Sequence, residues 1–173
     1  MKVLGLVGWS GSGKTTLLVA MLPLLRARGL SVSTVKHVHH GFDMDRPGKD
    51  SFRHREAGAR EVMVSAGGRW VLLHEVAGEE PPLPDLLDRM TDVDLMLVEG
   101  YKTRPFPKIE VHRPSLGKAP LWVADPDVIA VASDAPIDCG DRPNLDLNDP
   151  VAVTTWVLER WATLAEHRRG QAG

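Results

Sequence analysis

Nine residues near the amino terminus, GWSGSGKTT at positions 8–16, constrain this 173-residue chain more than any other stretch. They fill every fixed position of the pattern G-x-x-x-x-G-K-[ST], with Gly8, Gly13, Lys14 and Thr15. The apolar run at residues 3–7 reads as a strand, and residues 16–25 read as the helix that such a loop should open. Strand, glycine loop and helix therefore occur in the order that a phosphate-binding loop requires. A plain glycine-rich turn before a core helix is the alternative, and the flanking pattern argues against it.

Each residue type has a chemical reason to be there. Gly8, Gly11 and Gly13 permit backbone torsions and a close approach that a β-carbon would obstruct, so successive N–H groups can converge on phosphate oxygens. The expected cradle is Gly8, Trp9, Ser10, Gly11, Ser12, Gly13, Lys14, Thr15 and Thr16. The helix opening at Lys14 adds its positive dipole end. Lys14 can span the β- and γ-phosphates of a nucleoside triphosphate, and the Thr15 hydroxyl can complete the coordination of Mg²⁺. Lys14 and Thr15 are therefore expected in both binding and phosphoryl chemistry.

Composition leaves room for one nucleotide-binding domain, expected over residues 1–166 with a frayed tail at 167–173. A chain with 43% hydrophobic residues can bury a core without staples. Its net charge of −2 gives no electrostatic case for nucleic acid or an anionic membrane. The single cysteine, Cys139, excludes an intrachain disulfide and fits a reducing compartment. No stretch approaches the roughly 20 apolar residues that cross a bilayer. The expectation is a soluble, cytoplasmic protein.

Short apolar runs alternate with helical segments, which predicts an α/β fold: a three-layer sandwich of the P-loop NTPase kind around a mostly parallel sheet. The first helix should end near Arg28, with Gly29 just beyond it and Pro23 bending or stopping it. Strands are expected at 30–36, 94–99, 108–113 and 128–132. Residues 61–65 and 69–74, separated by Ala66-Gly67-Gly68, read as an antiparallel hairpin. Pro81-Pro82 should start a short helix reaching about Met90. Asp149-Pro150 is a good cap for a last helix carrying Val153, Trp156, Val157, Trp161 and Leu164 on one face.

A phosphate loop needs an acid nearby to hold Mg²⁺ or its waters. The run DLMLVEG at 94–100 offers Asp94 and Glu99. They lie roughly 16 Å apart along an extended strand, so both cannot touch one ion. Ligands of open α/β sheets sit beyond the carboxyl ends of the strands, which selects Glu99; an ordinary exposed loop acid is its alternative.

The segment KHVHHGFDMDRPGKDSFRHREAGA, residues 36–59, is dense in His, Asp, Lys and Arg. Three readings stay open. It can be an anion-binding or switch loop in which Lys36, Lys49, Arg53 and Arg55 meet phosphate while Asp43 or Asp45 helps hold Mg²⁺. His37, His39 and His40 can ligate a transition metal, although no cysteine is near. It can also be a solvated charged loop.

The phosphate loop, the segment 36–59, LVEGYK at 97–102 and PKIEV at 107–111 together resemble the molybdopterin-guanine dinucleotide biosynthesis protein B (MobB) family. The resemblance runs from Lys2 to about Asp134. It implies a GTP-binding homodimer that assists the guanylyltransferase adding GMP to molybdopterin, with molybdopterin itself as a further ligand. By position, residues 8–16 would hold the phosphates and Glu99 the magnesium region, while residues 37–55, with Lys102 and Lys108, would line a shared face.

Guanine selectivity comes from the resemblance alone, since no N-K-x-D signature is present. Its nearest positional counterpart is Ser133-Asp134, where a carboxylate could accept from guanine N1 and N2; a simple turn is the alternative. No D-x-x-G switch followed by glutamine occurs, so slow intrinsic hydrolysis is expected, assisted by an arginine such as Arg53 or Arg104 from a second subunit or partner. Two other classes use the same loop: a small-molecule kinase clamping its substrate with residues 46–55, and a metallochaperone GTPase using the histidines.

Overall fold

The structure, a computed structural model, describes residues 1–38, 41 and 44–170. Its elements run β1 (Lys2–Val7), α1 (Lys14–Arg26), β2 (Val32–Lys36), α2 (Asp50–Glu56), β3 (Glu61–Ala66), β4 (Arg69–His74), α3 (Leu83–Asp88), β5 (Leu95–Glu99), β6 (Lys108–His112), β7 (Val128–Ser133), β8 (Asn144–Asp146), α4 (Pro150–Glu159) and β9 (Ala165–Glu166). The chain divides into two compact units, Met1–His37 with Met90–Gly173, and Val38–Arg89.

In the larger unit the strands follow the order β2-β5-β1-β6-β7-β8, all parallel, and β9 pairs antiparallel with β1. Parallel strands covered on both faces read as near-continuous apolar runs, and β1 and β5 do so. Leu4 and Leu6 of β1 pack with Leu17, Met21 and Leu25 of α1 and with Val153, Trp156 and Val157 of α4. The opposite face of the sheet places Val7 with Val128, Val131, Trp122 and Cys139. Register pairs Leu6 with Glu99 and Glu99 with Lys36, so the carboxyl ends of β1, β5 and β2 finish in one row.

Three sequence expectations change at their edges. Helix α1 stops at Arg26, two residues early, because Leu30 N–H turns back to Leu25 O and Gly29 takes φ +82°. Helix α4 stops at Glu159; Trp161–Thr163 form a 3-10 turn, and Leu164 is buried by that turn instead of by helical period. His167, placed in the expected frayed tail, is tied, since Met1 and His167 exchange two hydrogen bonds of 3.1 and 2.9 Å.

Lys108 is the clearest departure. Expected with Lys102 to line a shared face, it is 1% exposed, with Nζ 2.6 Å from Asp125 and donating to Lys102 O and Arg104 O. A charge at that depth survives only with such partners. Space for it comes from Gly5 of β1, where a β-carbon would lie 2.6 Å from Lys108 Cγ and 2.6 Å from Phe106 Cε2. Its strand neighbour Glu110 is buried too and accepts from Leu121 and Trp122 N–H, pinning the segment after β6. Burial pushes the Glu110 carboxyl above its ordinary range, against those two donors and His112.

In the smaller unit β3 and β4 pair antiparallel over six residues, from Glu61 with His74 to Ala66 with Arg69. The expected hairpin is therefore present, as a two-stranded sheet of its own. Helix α2 lies inside the segment read from sequence as a loop and buries no residue. Met63 and Trp70 of the hairpin are 61% and 65% exposed.

Candidate functional site

The phosphate loop leaves β1 at Gly8, which takes φ +144° and sits where a β-carbon would come within 2.3 Å of Val111 O. Only glycine lets the loop pass that close to β6. Gly13 then caps α1 at φ +103°. The loop is fastened from outside by Arg113, one residue past β6: its Nε donates to Ser12 O at 3.0 Å, and its Nη1 pairs with Asp134 at 2.6 Å. Trp9 donates its indole N–H to Ala119 O at 2.7 Å, and Lys102 lies 4.2 Å over its ring.

Three ammonium groups and one carboxylate converge here. Lys14 Nζ donates to Trp9 O at 2.9 Å. Thr15 Oγ1 donates to Glu99 Oε1 at 2.7 Å. Lys36 Nζ stands 3.2 Å from the same carboxylate oxygen and 3.5 Å from Thr15 Oγ1. Burial lowers the pKa of Lys14; Glu99 opposes that, and Lys102 and Lys36 add to the lowering. The site thus holds excess positive charge for an incoming polyanion.

After Glu99 the chain turns through Gly100 and Tyr101, both at positive φ, 100° and 52°. The turn stacks Tyr101 on His37, ring centres 4.4 Å apart, and a β-carbon on Gly100 would lie 3.0 Å from His37 Cβ. His37 is thereby an aromatic partner of the VEGYK turn. His39, His40 and Asp43 lie outside the described residues, and no group of three His, Cys, Asp or Glu placed to hold a metal occurs among the described ones.

The structure brings together Lys14, Thr15, Glu99, Lys36 and Lys102, with Trp9 and the loop backbone. Asp45, Lys49, Arg53 and Arg55 belong to the smaller unit. There Asp45 accepts from Arg46 N–H at 3.0 Å and Ser51 Oγ at 2.8 Å, and Arg55 pairs with Asp45 and Glu75 at 3.5 and 3.0 Å. Asp94, set aside in favour of Glu99, ties β5 to β2 by accepting from Ser31 N–H and Oγ at 2.8 and 2.6 Å. Ser133 is buried at the end of β7, and one oxygen of Asp134 is taken by Arg113.

Residues 3–134 match the family model for molybdopterin guanine dinucleotide synthesis protein B. The chain belongs to the MobB family. The match begins in β1 and ends on Asp134, so it spans every site residue just described. The molybdopterin-guanine dinucleotide biosynthesis adapter protein of Escherichia coli K12 is 44% identical over 161 residues, covering 91% of each chain. That of Haemophilus influenzae is 42% identical over 162 residues, covering 92% of this chain and 88% of its own. Among solved structures, Bacillus subtilis MobB superposes with a TM-score of 0.71 at 26% identity, covering 92% of this chain and 98% of that one. A MobB homologue from Bacillus stearothermophilus gives 0.67 at 26% identity, covering 94% and 99%.

Sequence reasoning missed Arg113. The signal was available: Arg113 directly follows a parallel strand at its carboxyl end, where open α/β sheets place their ligand contacts. The MobB site also has donors that fit a hard divalent cation, because Thr15 and Glu99 present oxygens and an ammonium already sits beside both.

Proposed function

We propose that the chain is a GTP-binding adapter that assists the guanylyltransferase converting molybdopterin to molybdopterin guanine dinucleotide. The observation that carries the nucleotide part is the meeting of Lys14, Thr15 and Glu99 at the carboxyl ends of β1 and β5. Family membership supports the pathway, and the guanine dinucleotide in the relatives' names supports GTP over ATP. Backbone N–H groups of residues 9–16 and Lys14 hold the phosphates; Thr15 and Glu99 hold Mg²⁺, which neutralises charge on them. Hydrolysis is slow, because the sequence lacks a glutamine-bearing switch.

The adapter works as a homodimer in the cytoplasm. Support for the dimer is the hairpin, since a lone two-stranded sheet is marginal in water and this one exposes Met63 and Trp70. No helix among the described residues is long and apolar enough to cross a membrane.

Equilibrium titration with GTP and ATP, followed by tryptophan fluorescence, tests the reading. Trp9 lies in the loop and reports directly. GTP should bind more tightly than ATP, and Lys14→Ala should weaken it on the order of a hundredfold, as for loss of a charged hydrogen-bond partner. Equal affinity for the two bases would remove the guanine assignment. Transfer of the γ-phosphate to a small acceptor would make the protein a kinase instead.

A further inference from the structure

We propose that Lys36 is a built-in competitor for the cation position beside the phosphate loop, so that its ammonium does in the metal-free protein what Mg²⁺ does in the loaded one. The inference rests on the nucleotide reading above and goes beyond it in assigning how strongly metal and nucleotide are coupled.

The geometry is a triangle. Thr15 Oγ1 and Glu99 Oε1 are 2.7 Å apart, and Lys36 Nζ is 3.2 Å from the carboxylate and 3.5 Å from the hydroxyl. The position is set by the sheet. Lys36 and Glu99 are the last residues of β2 and β5, and they are register partners in a parallel pair, so both side chains project from the same row. The other two ammonium groups are engaged elsewhere, Lys14 on Trp9 O and Lys102 over the Trp9 ring. Lys36 is thus the ammonium that sits on the Glu99 carboxylate.

Both cations cannot hold the same oxygens. Mg²⁺ draws its oxygen ligands to about 2.0–2.1 Å in a near-octahedral shell, which leaves no room for an ammonium on the same Glu99 oxygen and sets two like charges against each other. The lysine can yield. Its side chain is 56% exposed and that of Glu99 only 10%, so the ammonium can swing into solvent or toward phosphate while the acid stays in place. Metal entry must therefore displace a tethered cation, and nucleotide arriving without metal still meets a neutralised acid. The coupling between Mg²⁺ and nucleotide should be weak in the native protein and strong once the tether is cut.

The test is the ratio of nucleotide dissociation constants in EDTA and in saturating Mg²⁺, measured by fluorescence with GDP and, in parallel, ADP. The native protein should show a ratio of only a few. Lys36→Met should raise it on the order of tenfold or more, by weakening binding in EDTA and tightening it with Mg²⁺. Lys36→Arg, which keeps the charge, should stay near the native ratio. Thermal melts that match the native protein confirm that the exposed substitution leaves the fold intact, and only a change in the ratio counts in favour. An unchanged ratio in Lys36→Met, with GDP or ADP still bound, overturns the proposal and leaves the phosphate site standing. Failure of the native protein to bind either nucleotide under either condition overturns the phosphate site itself, and the proposal with it.

Discussion

The two units place their charged residues in opposite ways. In the larger one, Glu99, Lys108 and Glu110 are buried and each is held by named donors or acceptors, so the charges are fixed before any ligand arrives. In the smaller one, α2 has no buried residue, and its ion pairs run from the exposed contact of Arg53 with Asp50 at 3.8 Å to Arg55, which reaches Asp45 and Glu75. Buried and satisfied polar groups rigidify a structure, whereas exposed pairs contribute almost nothing. The contrast separates a preorganised anion site from a unit in which α2 pairs its charges nearer the surface and burial falls to apolar residues such as Val62, Leu83 and Leu87.

The largest effect that could break this contrast is at Lys108. Lys108→Met should cost about 3 kcal/mol, measured as a lower urea midpoint, because Asp125 and two carbonyls lose their buried partner. A loss below 1 kcal/mol would mean that the interior charges are not what stiffens the larger unit. Arg113→Ala comes next. Removing the clasp on Ser12 O should loosen the loop and weaken nucleotide binding about tenfold, one charged hydrogen bond's worth, with a smaller effect on stability. Comparable GDP titrations of native and variant protein decide it. The smallest stability change belongs to the other unit. Trp70→Arg, at a position 65% exposed, should change the unfolding free energy of the protomer by no more than about 0.5 kcal/mol while halving the mass seen by light scattering. A large stability loss without a change in mass would show that Trp70 packs within its own protomer.

The phosphate loop was legible in the sequence because its chemistry is carried by nine consecutive positions. Glu99 was legible because the end of a parallel strand is a place that sequence pattern can locate. Lys36 was recognised as cationic and near phosphate, but its pairing with Glu99 depends on β2–β5 register across 63 residues, which no local pattern encodes. Lys108 was placed on a shared face by the resemblance, and its depth was not legible, because lysines are rarely buried. Its burial depends on Asp125 downstream and on an opening left by β1. Asp134 was legible as a position, though its partner Arg113 lies on another strand's end. Helix α2 escaped notice because its seven residues lack an apolar face.

Gly5 and Lys108 also have an evolutionary consequence. The lysine stem and the Phe106 ring lie where a methyl on residue 5 would stand, at 2.6 Å each. A change at either position therefore alters what is permitted at the other. Alanine at position 5 should be harmful while either the lysine or the Phe106 ring stays in place, and tolerated only where both have given way. Lineages of this protein in which the glycine has drifted should be those that have changed residues 106 and 108 together.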